Sequence, residues 1–278
     1  MGAESNQNSR VIRQGTWEDF DAAAALSSSP DMLRSRWQLP SFDPSRHLWL
    51  ADGAFGALYA PDEAVVLGNA AQIGPLLEHI EARAREESVS QLAFVIPERD
   101  EPAWRAYEQS GFTLATEVLK LEVVLDTPPL EAAPSTDVTL RTYGDADAQA
   151  VRELLDAAYL GWDQTYVPFQ HDDWLAFMTE HQGFDPAYWF LAEAGGELAG
   201  VCLTWKEGWI KDLAVEPEAR GRGLGEALLR HAFARLYEGG ARTIGLKVDA
   251  HNPTSAIRLY ERFGMRVVER YRHYVKKL

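Results

Sequence analysis

Two short segments of this chain nearly repeat each other 153 residues apart: "RAYEQSGF" at residues 105–112 and "RLYERFGM" at residues 258–265. Tyr107 falls opposite Tyr260, and Gly111 opposite Gly264. Upstream, "PLLEHI" at 75–80 matches "ALLRHA" at 227–232, with the offset slipping to 152. Two matches in the same order, inside similar successions of strand and helix patterns, predict a duplicated domain of about 120 to 140 residues. Between the copies, "DTPPLEAAPSTD" at 126–137 is rich in proline and small residues and reads as a linker. The expected division is a tail over residues 1–8, a first domain over 9–127, a linker over 128–136 and a second domain over 137–278.

Composition allows this: 46% of the 278 residues are apolar and 11% aromatic, enough to fill substantial cores. No run of about 18 apolar residues suggests a membrane span, and the polar start "MGAESNQNSR" lacks the apolar stretch of a signal peptide, so a cytoplasmic protein is expected. The single cysteine, Cys202, excludes an internal disulfide and any multi-cysteine zinc site. A net charge of −15 argues against broad binding to nucleic acid or anionic membranes. That average hides an asymmetry, because residues 218–278 carry 13 Lys or Arg against 6 Asp or Glu, leaving −22 on the residues before them. A polyanionic ligand at the C-terminal end, with a cationic partner elsewhere, would account for it; so would ordinary solvated helix charge.

In the second half, apolar periodicity predicts a strand "VTLRTY" from 138, helices over about 146–160 and 172–181, and strands "YWFLAEA", "ELAGVCLTW" and "WIKDLAV". A helix to about Glu238 follows, stopped by Gly239 and Gly240. Strand "TIGLKVDA" comes next, then a helix from about Pro253 to Phe263 with Asn252 as its N-cap, and a last strand "RVVERYRHYVKK". The first half repeats this order, beginning with "RVIRQ" at 10–14.

The chemistry concentrates in "RGRGLG" at 220–225, where strand "WIKDLAV" gives way to a helix. A helix N-terminus presents unpaired amides and positive potential, glycine lets backbone approach a ligand, and arginines add charge-assisted hydrogen bonds, so the loop suits a phosphate. The spacing fits neither the Gly-Lys-Ser/Thr ending of a nucleotide-triphosphate loop nor the dinucleotide pattern G-x-G-x-x-G. There is no G-x-S-x-G elbow and no H-E-x-x-H pairing, and no metal is expected. At the corresponding place in the first copy stands "GNAAQI", residues 68–73, without the alternating glycines or the arginines.

"LAVEPEARGRGLGEALL" followed by "VDAHNPTSAIRLYERFGM" resembles the GNAT superfamily of N-acetyltransferases, whose signature Arg/Gln-x-x-Gly-x-Gly/Ala is filled by Arg220, Gly223 and Gly225. The resemblance covers 138–278, and the first half resembles a degenerate copy, as in tandem members. It implies an α/β (α+β) fold class: two tandem GNAT-like domains, each a mixed, mostly antiparallel sheet with helices on both faces. It also implies acetyl-coenzyme A as acyl donor. The pyrophosphate would lie on the loop of Arg220, Gly221, Arg222, Gly223, Leu224, Gly225 and Glu226, and the pantetheine arm along the backbone of Leu213, Ala214 and Val215. Asn252 and Tyr260 match positions that in many members contact the arm and its sulfur.

Acetyl transfer to an amine needs a neutral nucleophile and a proton for the departing thiolate. Tyr260 is the candidate acid, although Ala256, Leu259, Tyr260 and Phe263 share one helical face, so packing also explains a tyrosine there, as it must for Tyr107. Many members carry a glutamate base eleven residues before the signature; here that place holds Trp209. Asp212 is the first candidate instead, ahead of Glu207 and Asp249. For a small-molecule or peptide amine acceptor, expected to be cationic from the aromatics and carboxylates of the segment 161–189, the candidates are Trp162, Asp163, Tyr166, Asp172 and Asp173. A monomer or homodimer is expected. Two alternatives stay open: a mycothiol synthase-like acetyltransferase, and a non-catalytic acyl-coenzyme A-binding regulatory module.

Overall fold

The computed structural model describes residues 11–27, 29–59, 62–129, 138–160, 162–163 and 166–278. The expected tail over 1–8, Arg10 of "RVIRQ", residues 130–136 of the expected linker, and Gly161, Gln164 and Thr165 of the acceptor segment lie outside them.

The elements run β1 (Arg13–Gln14), α1 (Phe20–Ala24), α2 (Pro30–Trp37), α3 (Pro44–His47), β2 (Leu48–Ala51), β3 (Ala54–Leu58), β4 (Ala64–Gly68), α4 (Ile73–Glu86), β5 (Gln91–Pro97), α5 (Glu101–Gln109) and β6 (Thr113–Val124). Then come β7 (Val138–Thr142), α6 (Ala148–Leu160), α7 (His171–Thr179), β8 (Trp189–Ala194), β9 (Glu197–Trp205), β10 (Trp209–Val215), α8 (Leu224–Glu238), β11 (Thr243–Asp249), α9 (Ala256–Arg262) and β12 (Arg266–Lys277). The fold is mixed α/β. Among the described residues, no helix is long and apolar enough to cross a membrane.

Contacts divide the chain into two compact units. The first gathers the described residues up to Thr116 with Asp172–Phe177 and Tyr271–Leu278; the second is Glu117–His171 with Met178–Arg270. In the first unit, β1 to β4 form an antiparallel sheet in chain order. The last residues of the chain pair antiparallel with β5, from Tyr271 opposite Pro97 to Lys277 opposite Gln91. Leu76, Leu77 and Ile80 of α4 share a core with Phe94, Tyr107, Phe112 and Tyr274. Tyr107 is fully enclosed, its ring centroid 4.6 Å from Phe94 and 5.7 Å from Phe112.

In the second unit the strand order is β6, β11, β10, β9, β8, β7, antiparallel throughout except where β10 meets β11. Strand β9 is buried without a break from Ala199 to Trp205, which requires cover on both faces. Helix α8 supplies one cover, sinking Leu228, Leu229, Ala232, Phe233 and Leu236 at helical spacing into the core with Phe190 and Cys202. Helix α6 has no part in that cluster; its buried Val151, Leu154, Leu155 and Ala158 belong to the other layer, against β9 and β10. Helix α8 stops as expected: Gly240 is left-handed at φ +99°, and the Ala241 amide closes back on the Leu236 carbonyl at 2.9 Å.

The helix expected from Pro253 begins later, at Ala256, and Asn252 does not cap it. Asn252 Oδ1 instead accepts from the Thr254 amide at 2.9 Å, a local turn that competes with helix, and Ser255 then adopts a left-handed φ of +61°.

Strands β10 and β11 touch at Trp209 opposite Gly245. A Cβ on Gly245 would sit 3.0 Å from the Trp209 ring. Gly245→Val is therefore expected to destabilise the protein by about 1 to 3 kcal/mol, read from urea melts, because neither strand can move without disturbing its other ladder.

Candidate active site

The site begins where β10 leaves β11. The Gly245 amide donates to the Gly208 carbonyl at 2.9 Å, the Trp209 ring lies on Gly245, and beyond that point no ladder pair joins the two strands among the described residues. Strand β10 keeps its pairing with β9 to the end, Val215 opposite Gly200. On the way Lys211 is skipped, since Ile210 opposes Thr204 and Asp212 opposes Leu203. Such a bulge bends a strand and increases its twist. A cavity of about 510 Å³ lies beside the end of β10, lined there by Leu213, Ala214 and Val215.

The loop Arg220–Gly225 and helix α8 form the next wall. Gly221 and Gly223 have φ of +76° and +81°, the left-handed region that glycine enters without strain. Gly223 has no side chain with which to cap α8, and the first intrahelical bond is from the Ala227 amide to the Gly223 carbonyl at 3.0 Å. The amides of Leu224, Gly225 and Glu226 are thus the uncapped positive end of a fifteen-residue helix, and all three residues line the cavity. In the first unit the matching turn is filled. Asn69 Oδ1 accepts from the Ala71 amide at 3.0 Å, and a short 3-10 turn leads directly into α4.

The expected arginines have different positions. Arg220 lines the cavity, but its Nε donates to the Val215 carbonyl at 3.1 Å and its terminal nitrogen to the Ala158 carbonyl at 3.3 Å, so it braces the loop against β10 and α6. Arg222 is exposed and does not line the cavity. Two cations absent from the sequence reading do line it, Arg258 and Arg262, one turn apart on α9. Their i, i+4 spacing within the basic C-terminal stretch was the available signal. Arg262 pairs with Glu226 at 3.0 Å, and Glu226 also accepts from Arg230 at 2.9 Å. Those hydrogen bonds, Arg230 first, hold the Glu226 carboxyl below its ordinary range.

Tyr260 belongs both to the core and to the cavity wall, with 6% of its surface exposed. Among the described residues its hydroxyl has no hydrogen-bond partner. Burial, then the nearby Cys202 and Asp212, push its ionisation well above the ordinary 10.0. Asn252 also lines the cavity, presented by the turn that displaced it from the helix cap.

The candidate bases do not reach the cavity directly. Asp212, Glu207 and Asp249 are all absent from its lining, and Trp209 is too. Asp212 lies close behind the wall, 11% exposed, accepting from the Tyr159 hydroxyl at 2.9 Å, with Lys211 Nζ at 3.3 Å. Tyr159 does line the cavity, and nothing in its helical spacing distinguished it from a packing residue.

The acceptor candidates separate. Trp162 lines the cavity, 6.4 Å from Tyr159 between ring centroids. Tyr166 packs against Tyr159 with its ring tilted by 38° at 5.3 Å between centroids, and donates to Asp156 at 2.7 Å. Asp163 is not part of the lining, its amide bonded to the Tyr159 carbonyl at 3.0 Å. Asp172 is exposed near the start of α7; Asp173 is buried and accepts from the Ser41 amide at 3.0 Å, inside the first unit.

Residues 148–265 match the acetyltransferase (GNAT) family. The chain is 30% identical over 228 residues to mycothiol acetyltransferase of Acidimicrobium ferrooxidans, covering 74% of this chain and 68% of that protein. It is 41% identical over 165 residues to mycothiol acetyltransferase of Thermobispora bispora, covering 55% of each. The chain spans about half the length, 54 to 56%, of several curated relatives that it matches. The crystal structure of a GCN5-related N-acetyltransferase from Sphaerobacter thermophilus superposes with a TM-score of 0.73 at 25% identity, over 96% of this chain and 95% of that one.

Two outcomes follow for the isolated protein. Gly223→Val, which meets no atom within 4 Å but must hold φ +81°, is expected to lower stability by about 2 kcal/mol in urea melts while leaving the protein folded. Because native Tyr260 ionises above the unfolded value of 10.0, its contribution to stability is intact below that pH and is lost as pH rises past it. Urea melts from pH 8 to 11 should therefore fall more steeply for the natural protein than for Tyr260→Phe.

Proposed function

The chain belongs to the acetyltransferase (GNAT) family, and on that premise we propose that its second unit transfers acetyl from acetyl-coenzyme A to an amine of a small-molecule or peptide acceptor. The observation that carries the reading is the uncapped start of α8 opening on the same cavity as the end of β10 that no longer pairs with β11. That arrangement fits a long donor with an anionic diphosphate and an amide-bearing arm: helix amides and positive potential for the one, strand backbone for the other. In this reading Leu224, Gly225 and Glu226 hold the diphosphate through their amides, Arg258 and Arg262 supply the cationic charge near it, and Leu213, Ala214 and Val215 pair with the arm. Arg220 keeps the loop in place.

Acetyl-coenzyme A supplies an acyl group on a thiol leaving group. Tyr260 is the group that protonates the departing sulfur. A thiol of pKa about 8.5 faces a phenol ordinarily near about 10, and burial keeps that phenol protonated at neutral pH. The Tyr260 phenolate left behind then recovers a proton from the nitrogen that has become the amide, so the transfer leaves Tyr260 unchanged. An alkyl ammonium, with a pKa of about 10, must lose one further proton before it attacks, and Asp212 is the carboxylate assigned to that proton. Trp162 at the cavity wall, with the negative charge of residues before 218, suits a cationic acceptor.

A second reading takes the acceptor from the relatives' name, so that this chain acts as the mycothiol acetyltransferases do. The 41% identity favours it. Against it stands Trp209, packed on Gly245 where a glutamate would be expected. The duplication read from the sequence remains part of the proposal, with the first copy as scaffold.

Acetyl-coenzyme A is expected to raise the melting temperature of the natural protein and not that of Gly223→Val; no shift in the natural protein would overturn the donor. Thiol release should appear with at least one of spermidine, an aminoglycoside or a peptide N-terminus, and its absence throughout would favour a binding module over an enzyme. Tyr260→Phe should lose about 100-fold in kcat with little change in the KM for acetyl-coenzyme A.

A further inference from the structure

Asp212 is assigned the acceptor's proton, yet it does not line the cavity in which the acceptor must bind. Among the described residues the only acidic side chain in the lining is Glu226, which is bound to Arg230 and Arg262. The side chain between Asp212 and the cavity is Tyr159, whose hydroxyl donates to Asp212 Oδ1 at 2.9 Å. We propose that Tyr159 relays the acceptor's proton to Asp212, taking it from the ammonium at one lone pair of its hydroxyl while passing its own proton to the carboxylate. This rests on the amine-acetylation reading above.

The step balances without a further reagent. One N–H bond of the ammonium breaks as an O–H bond forms at Tyr159, and the original Tyr159 O–H bond breaks as an O–H bond forms on Asp212. The products are a neutral amine, an unchanged tyrosine and a protonated carboxyl group, which returns its proton to solvent after the thiol leaves. No electrons change hands and no covalent intermediate forms on the protein.

Several features make Tyr159 suitable. Its ring contacts Trp162, at 6.4 Å, and Tyr166, at 5.3 Å, and Tyr166 is fixed in turn by its bond to Asp156 and by Arg152, which donates to it at 3.3 Å. A relay needs this kind of fixed orientation more than it needs acidity. The groups facing the pair are Lys211 beside Asp212 on β10, Cys202 on β9, Tyr260 on α9 and Tyr166 beside α6. Lys211 is the one cation among them, its Nζ 3.3 Å from Asp212 Oδ2. Burial and the Asp212 charge keep the Tyr159 phenol un-ionised, so it passes the proton on without becoming a phenolate. The bulge at Lys211 is what shifts Asp212 in register against β9, and so sets the carboxylate that Tyr159 meets.

The test compares the natural protein with Tyr159→Phe, Asp212→Asn and the double variant, measuring thiol release from acetyl-coenzyme A with spermidine, glucosamine and Ala-Ala as amines between pH 7 and 9.5. Each single variant is expected to lose about 100-fold in kcat at pH 7, the double variant no more than either, and all three to recover most of the loss as pH approaches the amine's own pKa of about 10 for spermidine. The KM for acetyl-coenzyme A and the melting shift it causes should be unchanged, which separates the relay from a general structural defect. Losses that multiply in the double variant, or that stay constant with pH, would overturn the relay while leaving acetyl transfer in place. A natural protein that releases no thiol with any of the three amines would overturn the acetyl-transfer reading, and the relay with it.

Discussion

Trp209 lies on Gly245 at the last contact between β10 and β11, and the candidate site exists because the two strands part just beyond it. A parallel pair normally satisfies both strands, so a strand that loses one neighbour midway presents amides and carbonyls with no partner on that side. Such an edge inside a fold must face solvent or a ligand. Here it faces the same cavity as the first amides of α8, which Gly223 leaves uncapped. The edge of β10 and the uncapped start of α8 thus meet at one space, and that convergence suits an extended polar ligand with an anionic end.

The side chains around this backbone act mostly on position. Arg220, which charge alone would assign to the ligand, ties the loop to the carbonyls of Val215 and Ala158. Trp209 occupies the place of an expected base and packs on Gly245 at the β10–β11 ladder pair. Asp212, the carboxylate assigned to the acceptor's proton in the proposed reaction, stands one residue layer back and accepts from Tyr159. In the proposed reaction, a carboxylate placed there avoids presenting a second negative charge to a donor that already carries several, while keeping the proposed route to the acceptor's proton.

Tyr260 and Tyr107 illustrate how packing and chemistry divide. Both sit in buried aromatic surroundings on short helices that end in a left-handed glycine, Gly264 and Gly111. Tyr107 is enclosed by Phe94 and Phe112, whereas Tyr260 keeps a hydroxyl at a cavity wall. The same helical period serves both; the difference is whether a neighbouring turn is open, as at Gly221 and Gly223, or filled, as at Asn69.

Most of the elements of the second unit were legible in the amino-acid order, because apolar spacing of two or about 3.6 residues is a local property of each segment. The limits of β9, β10, α8 and β12 follow from it, and so does the glycine loop, whose left-handed positions only glycine enters freely. The start of α9 was misread, because Asn252 has two equally local uses and the turn prevailed over the cap. What the order of residues could not contain was direction and adjacency: that Arg220 turns inward to carbonyls, that Asp173 is taken up by Ser41, that Tyr159 from one helix meets Asp212 from a strand 53 positions away. Those depend on which faces meet when the layers pack and on where one strand pair comes apart. Sequence by itself determined the family, the loop and the tyrosine beside it; tertiary structure alone decided which polar groups share the cavity, since proximity between distant residues is a product of packing and not of spacing along the chain.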